Sequence, residues 1–323
     1  MQEKKGQKGN SKKIIILSLC FLLTVSALLV FKFFGPGFSE IEEFISSAYQ
    51  EAQYSLGLIN EYGRNDIAVH YLYVGQGDCE IVVCEGHAML IDSGESGNEN
   101  KIIDYLHKCG ITTLEYVVAT HPHSDHIGAM PYVLDSVNAK NLVMTGLPEE
   151  LVPTYYCYNQ LINIVSDSDI NLIIARAGIR FFLGSAEVTI LAPVDYGTDL
   201  NTDLNNNSIV LRIDYKGGSY IFQGDAELEE EESILNANLN IDCDVIKIGH
   251  HGGSSSSNEK YLKAVTPEIA VISCGKNNEY GHPHDKTLNR IKVYTDKIYR
   301  TDLLSYIVVT YDGKKYNVYF NNQ

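Results

Sequence analysis

Basic side chains are scarce over most of this chain. Six of its 25 lysines and arginines, and one of its 41 aspartates and glutamates, fall in the first 34 residues, which leaves 19 basic against 40 acidic groups beyond them. Sequence-independent binding to duplex DNA draws on clustered Lys and Arg, so an acidic body of this kind excludes a general polyanion-binding module. A nucleic acid would have to be held through local contacts or partners. Paired cysteines are absent as well. Cys79, Cys84, Cys109, Cys157, Cys243 and Cys274 form no CxxC; two stand inside apolar strand-like runs, as buried thiols do, and their even count permits disulfides without requiring any. No low-complexity segment or linker interrupts residues 62–323, and no histidine occurs between His126 and His250.

What is present begins with an apolar run. Ile14 to Phe31 carries no charge and follows Lys4, Lys5, Lys8, Lys12 and Lys13. Eighteen such residues are near the lower limit for a membrane-spanning helix, and Lys32 can snorkel to lengthen it. The run exceeds the usual apolar part of a cleaved signal, and no small-x-small cleavage site follows it cleanly. The expectation is a basic cytoplasmic tail over 1–13 and an uncleaved anchor over 14–34, with the rest of the chain outside the cell by the positive-inside rule. Gly35-Pro36-Gly37 then breaks the helix, and Ile41, Phe44, Ile45, Ala48, Ala52 and Leu56 recur at helical steps, which suggests a stalk over 35–61. With 323 residues, 45% of them hydrophobic, residues 62–323 suffice for one large domain with a sizeable core.

From Ile67 onward strand-like and helix-like stretches alternate. Residues 68–74, 80–84, 88–92 and 115–120 read as strands, 98–109, 127–135 and 155–165 as helices. Residues 179–182, 188–192, 208–215 and 219–223 read as further strands, 226–239 as a helix whose Glu227 and Glu229–Glu232 run forms a solvated face, and 305–311 with 315–320 as a hairpin turning at Asp312-Gly313. Seven of the ten histidines fall into three clusters, 121/123/126, 250/251 and 282/284. The first lies in Thr120-His-Pro-His-Ser-Asp-His-Ile-Gly128, directly after the apolar Tyr116–Ala119. Imidazoles and carboxylates are costly to bury unpaired, and a divalent metal is the usual compensation. The spacing lets His121 and His123 address one ion while Asp125 and His126 turn toward a second. Asp225 ends another strand-like run and His250-His251 a third, so ligands collect at strand ends, where open α/β sheets place their sites.

These residues resemble the metallo-β-lactamase superfamily over 66–320. The HxHxDH run at 121–126 is its most specific signature, and Leu90-Ile91-Asp92-Ser93-Gly94 looks like its first motif. Tyr73–Asp78, Asn206–Val210, Gly224-Asp225-Ala226, Ile248–Gly252, Tyr280–His284 and Tyr299–Asp302 are similar to the hydrolase domain of ComEC-type competence proteins and to phosphorylcholine esterases. The resemblance implies an α/β fold, a four-layer αββα sandwich with two divalent ions, zinc or manganese, at one edge. ComEC-type proteins also carry a multi-span channel; one span here gives no ground for DNA transport. Many members add a third histidine to the first ion from the segment that is empty of histidine here. That ion would keep His121, His123 and Asp225, with solvent or a side chain such as Asn207 or Asp203, would bind less tightly, and would favour manganese where zinc is scarce.

Within this frame Asp225 is the candidate bridging carboxylate, with the ions roughly 3.5–4 Å apart. Metal ligands would be His121, His123, Asp125, His126, Asp225 and His251. Neighbours on a strand end point in opposite directions, so only one of His250 and His251 should ligate; His251 is taken as ligand and His250 as a substrate-facing donor. Asp92 should fix a ligand imidazole through a hydrogen bond, and Asp78 either does the same or caps a glycine turn. His282 and His284 lie in a loop able to close over the site, and with Asp125 and His250 they complete the candidate catalytic groups. Ser254–Ser257 reads as a turn and helix cap rather than a nucleophile. Two cations lower the pKa of a shared water and stabilise the charge developed during attack. The expected reaction is phosphodiester hydrolysis, on extracellular nucleic acid, a phosphorylcholine-like group or a cell-wall polymer. A carboxylic ester or lactone hydrolase is the enzymatic alternative, and a non-catalytic metal-binding module the other.

Overall fold

The computed structural model describes residues 66–194 and 203–322. The expected tail, anchor and stalk over 1–61 lie outside the described residues, and among the described residues no helix is long and apolar enough to cross a membrane. Both sheets and the candidate site belong to one compact unit within residues 62–105 and 111–323.

In chain order its first half runs β1 (Ile67–Leu72), β2 (Glu80–Cys84), β3 (His87–Ile91), α1 (Glu99–Lys108), β4 (Thr113–Ala119), α2 (Ser124–Ile127), α3 (Met130–Ser136), β5 (Asn138–Thr145), α4 (Tyr156–Asp167) and β6 (Asn171–Ala175). The second runs β7 (Arg180–Leu183), β8 (Ala186–Ala192), β9 (Val210–Tyr215), β10 (Gly218–Phe222), α5 (Leu228–Asn236), β11 (Val245–Lys247), α6 (Glu259–Val265), β12 (Ile269–Ile272), α7 (Asp285–Ile291), β13 (Ile298–Arg300), β14 (Leu304–Tyr311) and β15 (Tyr316–Asn322). One sheet has the order β15-β14-β1-β2-β3-β4-β5-β6 and the other β13-β12-β11-β10-β9-β8-β7. Strands β3 to β6 are parallel, as are β10 to β13. Parallel neighbours need crossover connections, and each here contains at least one helix. Every crossover therefore returns the chain to the same side, and the carboxyl ends of both parallel sets carry the polar loops.

Period-2 alternation sends one set of side chains between the sheets. Ile67, Val69, Tyr71, Val82, Met89 and Ile91 meet Val188, Ile190, Leu211, Ile213 and Tyr220 there. The Tyr71 and Phe222 rings stack with centroids 6.2 Å apart. The outer face of the second sheet, with Val210, Ile221, Ile246 and Ile248, packs on Ile234 of α5, Leu262 and Val265 of α6, and Ile291 of α7. Ile102 of α1 and Met130 and Val133 of α3 are buried in turn. Each fully buried aliphatic side chain contributes about 1.5–3 kcal/mol, and two sheets with helices outside them are what burying both faces of each sheet requires.

Some elements differ from the sequence expectation. The helix expected over 127–135 is α3 and starts later, at Met130, with Pro131 in its first turn; the short α2 ends before it at Ile127, and at the intervening Gly128 a Cβ would overlap the backbone of Ser124 and Ser96. Strands β5, β6, β12 and β13 and helices α6 and α7 are additional to it. Helix α6 is capped by Asn258, which accepts from the N–H groups of Lys260 and Tyr261, whereas Ser256 and Ser257 are buried and donate to Ala226 O and Gln223 Oε1. Only part of the acidic run is a solvated face: Glu229 and Glu232 are exposed. Glu230 and Glu231 are buried; Glu230 accepts from Val194 N–H, and Glu231 from the Gln223 amide, the Ser257 N–H and both nitrogens of Asn258. These acids tie helix α5 to the segments around Val194, Gln223 and Ser257–Asn258.

Burial pushes the Glu231 carboxyl up from 4.5 to about 7 against those donors. A folded-state value above the unfolded one means that its contribution to stability is full below about pH 4.5 and is lost as pH rises through about 7. Urea unfolding of the wild type and Glu231→Gln across that window should show the difference in their stabilities falling by about 3 kcal/mol toward the wild type's disadvantage. A constant difference would remove the buried acid from the account.

Candidate metal centre

Three crossings deliver the polar groups. The end of β4 leads into His121–His126, the end of β10 into Asp225, and the end of β11 into His250 and His251. The loop after β1 is clamped to the first of these: Asp78 N–H donates to Asp125 O at 3.2 Å, and a Cβ on Gly77 would overlap that same oxygen. Ser93, after β3, donates to His126 O through its backbone and its hydroxyl.

Asp225 stands at the centre. Its Oδ2 lies 3.2 Å from His126 Nε2, 3.5 Å from His251 Nε2, and 3.9 Å from Nε2 of both His121 and His250. Asp125 Oδ2 lies 3.3 Å from His251 Nε2 and 3.9 Å from His126 Nε2. His121 Nε2 and His123 Nδ1 face one another at 2.9 Å. Contrary to expectation, His250 and His251 both turn into the cleft. Neither is strand-like: φ is 47° at His250 and 53° at His251, and two successive left-handed residues undo the alternation that would have separated their rings. Non-glycine residues adopt this region at a cost of order 1–3 kcal/mol each and persist where the surroundings over-determine them.

The outer nitrogens of three rings are engaged, which turns their Nε2 atoms inward. His126 Nδ1 bonds Asp92 Oδ2 at 2.7 Å, His251 Nδ1 bonds Ser273 O at 3.0 Å, and His121 Nδ1 lies 3.2 Å from Thr120 Oγ1, which itself donates to Asp92. Imidazoles held through one nitrogen are oriented to ligate through the other. His126 Nε2, His251 Nε2, Asp225 Oδ1 and Asp78 Oδ1 are buried with no hydrogen-bond partner. One donor atom from each of these four residues lies within 4.8 Å of the others. Unpaired buried polar atoms of this kind are expensive, and a divalent cation would satisfy those of His126, His251 and Asp225, while Asp78 Oδ1 lies 3.2 Å from Nδ1 on the outer side of the His251 ring. The donor set fits a metal ion.

Electrostatics agree. Burial would strip the protons of His126 and His251, but the Asp225 carboxylate, with Asp92 and Asp125 at His126 and Asp78 at His251, outweighs it and holds both well above the usual histidine value. Burial opposes ionisation of Asp225, yet these two rings hold it well below the usual carboxylate range. At His121 and His123 burial dominates and lowers the value. Positive charge is thus demanded around Asp225.

Residues 72–276 match the metallo-β-lactamase superfamily domain. The chain belongs to that superfamily. It is similar to ComE operon protein 3 of Bacillus subtilis, 29% identical over 252 residues, or 72% of this chain and 32% of that protein. Competence protein ComA of Neisseria gonorrhoeae is 30% identical over 74% of this chain and 32% of its own length. Recombination protein 2 of Haemophilus influenzae is 26% identical over 80% of this chain and 30% of its own. The chain therefore spans about a third of the length of these relatives.

Around this superfamily centre a cleft of about 350 Å³ is lined by Gln76, Tyr155, Asn205, Tyr280 and His282 besides the groups above. His282 lies in it, neutral at pH 7 because burial, aided by the neighbouring histidines, lowers it to about 4. His284 is elsewhere: its Nδ1 accepts from Ser254 N–H and its Nε2 bonds Tyr280 O, so the ring ties two loops together. Asn207 is fully buried and its amide donates to Asp203 O at 2.8 Å; the tight turn at Asn205–Asn207 sends Asn205 to the cleft instead. Glu227, expected on a solvated face, pairs with His250 Nδ1 at 2.7 Å. Gln76 accepts from Gly275 N–H at 2.9 Å.

Lys247 escaped the sequence reading. It is fully buried on β11, paired with Asp78 and 3.2 Å from Gly224 O. Burial disfavours its charge, but Asp78, Glu80 and Asp225 keep it protonated. A lysine in an apolar three-residue strand was the available signal. Lys247→Met leaves Asp78 and Glu80 buried without their cation, and breaking such a pair costs about 3–5 kcal/mol. Denaturant midpoints should show that loss; a change below about 1 kcal/mol, the ordinary size for a point mutation, would mean that Asp78 finds another partner.

Proposed function

We propose that this chain is a metal-dependent hydrolase that cleaves a phosphodiester with two divalent ions, zinc or manganese. The observation that carries the reading is the convergence of four imidazole Nε2 atoms within 3.9 Å of one buried Asp225 oxygen. His121, His123 and Asp225 would hold one ion; Asp125, His126, Asp225 and His251 the other. Bound ions would supply a hydroxide nucleophile near neutral pH and counter-charge for the oxygen that becomes negative.

The remaining groups belong to the protein. Asp92 and Ser273 hold the ligand rings in place. Glu227 fixes His250, whose raised value, set by that hydrogen bond against burial, makes it a proton or hydrogen-bond donor toward the leaving oxygen. His282, whose Nδ1 lies 3.5 Å from Gln76 Nε2, offers its other nitrogen to the substrate. Fewer protein ligands at the first ion leave room for a non-bridging phosphate oxygen, which favours a phosphodiester over a carboxylic ester, a lactone or a β-lactam. The names competence protein and recombination protein 2 of two relatives lend weight to nucleic acid among the candidate substrates. The acidic body argues for a substrate gripped locally at the cleft rather than along a charged surface. We further infer a single-pass anchor over 14–34 with the hydrolase outside the cell, from the uncharged run at 14–31 and the lysines before it.

The purified protein should contain about two zinc or manganese ions per chain, hydrolyse a chromogenic phosphodiester, and lose that activity by at least about a hundredfold in His123→Ala, as for other groups that stabilise the transition state directly. Metal in full amount without turnover of any phosphodiester would favour a binding module. Faster turnover of an ester or lactone would move the assignment to that chemistry.

A further inference from the structure

The loop before β9 holds a polar atom that the reading above leaves unused. Its segment is strapped to both sides of the first ion's ligands: Ile209 N–H donates to Thr120 O at 2.9 Å, one residue before His121, and Asp225 N–H donates to Ser208 Oγ at 3.1 Å. Within that segment Asn205 lines the same cleft as His123 and Asp225. It is 8% exposed, and its Oδ1 is buried with no hydrogen-bond partner. The rest of the residue is committed. Its N–H donates to Asp203 Oδ1 at 3.0 Å, its carbonyl accepts from Ser208 N–H, and its side chain is hydrogen-bonded to Glu227. Glu227 can only accept, so the bond uses the amide nitrogen and leaves the oxygen for the cleft.

We propose that Asn205 Oδ1 is an oxygen donor to the ion held by His121, His123 and Asp225, taking one of the places that the missing third histidine and the short ligand set leave open, with a further place left for a substrate oxygen. The inference rests on the two-ion reading of the site but not on the identity of the substrate. A neutral amide oxygen is a hard donor of the type that suits manganese and magnesium, and it adds no charge to a centre already rich in carboxylates. Asn207 is set apart from it by position: its amide nitrogen donates to Asp203 O, and the residue is fully buried and does not line the cleft. Glu227, which also orients His250, then links the ligand at one ion to the donor beside the other.

Chelator-stripped full-length protein titrated with manganese by calorimetry, and with cobalt(II) by absorption, tests this without any substrate. The wild type should take up two ions. Asn205→Ala should weaken one of the two by about tenfold or more, the scale known for groups around a metal, and alter one cobalt spectrum while leaving the other ion in place. Unchanged affinity and spectra would overturn the proposal, as would the same loss seen only in Asp203→Ala. If the alanine variant does not fold, Asn205→Asp decides: tighter binding at one site supports the assignment and unchanged binding overturns it. A wild type that binds one ion or none would refute the two-ion reading itself, whereas absent phosphodiester turnover would leave this measurement standing.

Discussion

A buried carboxylate surrounded by imidazoles sets the terms for everything near it. Asp225 has 2% of its surface exposed, and an isolated ionised carboxylate at that depth would neutralise itself rather than persist. Its charge survives because two separate strand ends, those of β4 and β11, bring histidines to it. That demand explains why both parallel runs finish on the same edge, and why His250 and His251 accept left-handed backbone. It also explains the hydrogen bonds on the far sides of the rings, since a ring free to rotate could not hold its inner nitrogen toward Asp225.

A second layer of polar contacts keeps these strand ends in register. The loop after β1 reaches the 121–126 loop through Asp78 N–H, and Asp78 also pairs with Lys247 from the opposite sheet. Gln76 takes the N–H of Gly275, in the loop after β12 of that sheet. The two halves of the sandwich are thus joined beside the centre by polar groups, while apolar residues join them between the sheets. Superfamily membership and geometry support each other here, because the residues that carry the signature are those the fold gathers.

Much of this was legible in the chain. The 121–126 run and Gly224-Asp225 stand out because polar groups directly after apolar strands have few roles in a core. Strands over 67–72, 80–84 and 87–91 follow from their β-branched and alternating composition. Other parts were hidden for physical reasons. The left-handed turn at 250–251 depends on flanking glycines and on packing that no local pattern reports. Asn205 and Asn207 differ only by their phase in a tight turn, so sequence does not say which reaches the cleft. Glu227, Glu230 and Glu231 lie in an acidic run that resembles a solvated helix face, and their partners at Asn258, Val194 and His250 are distant in sequence. Strands such as β12 and β13 are too short for periodicity to distinguish from helix.

The far-side hydrogen bonds of His121, His126 and His251 also bear on how such a centre is loaded. Side chains ordered before any ion arrives meet their rotamer cost during folding, not on coordination. The hydrophobic layers do not depend on the ions, in contrast to small zinc modules whose folding is metal binding. A centre of this build can therefore be folded before any ion reaches it, and metal uptake would fill an existing site rather than create one.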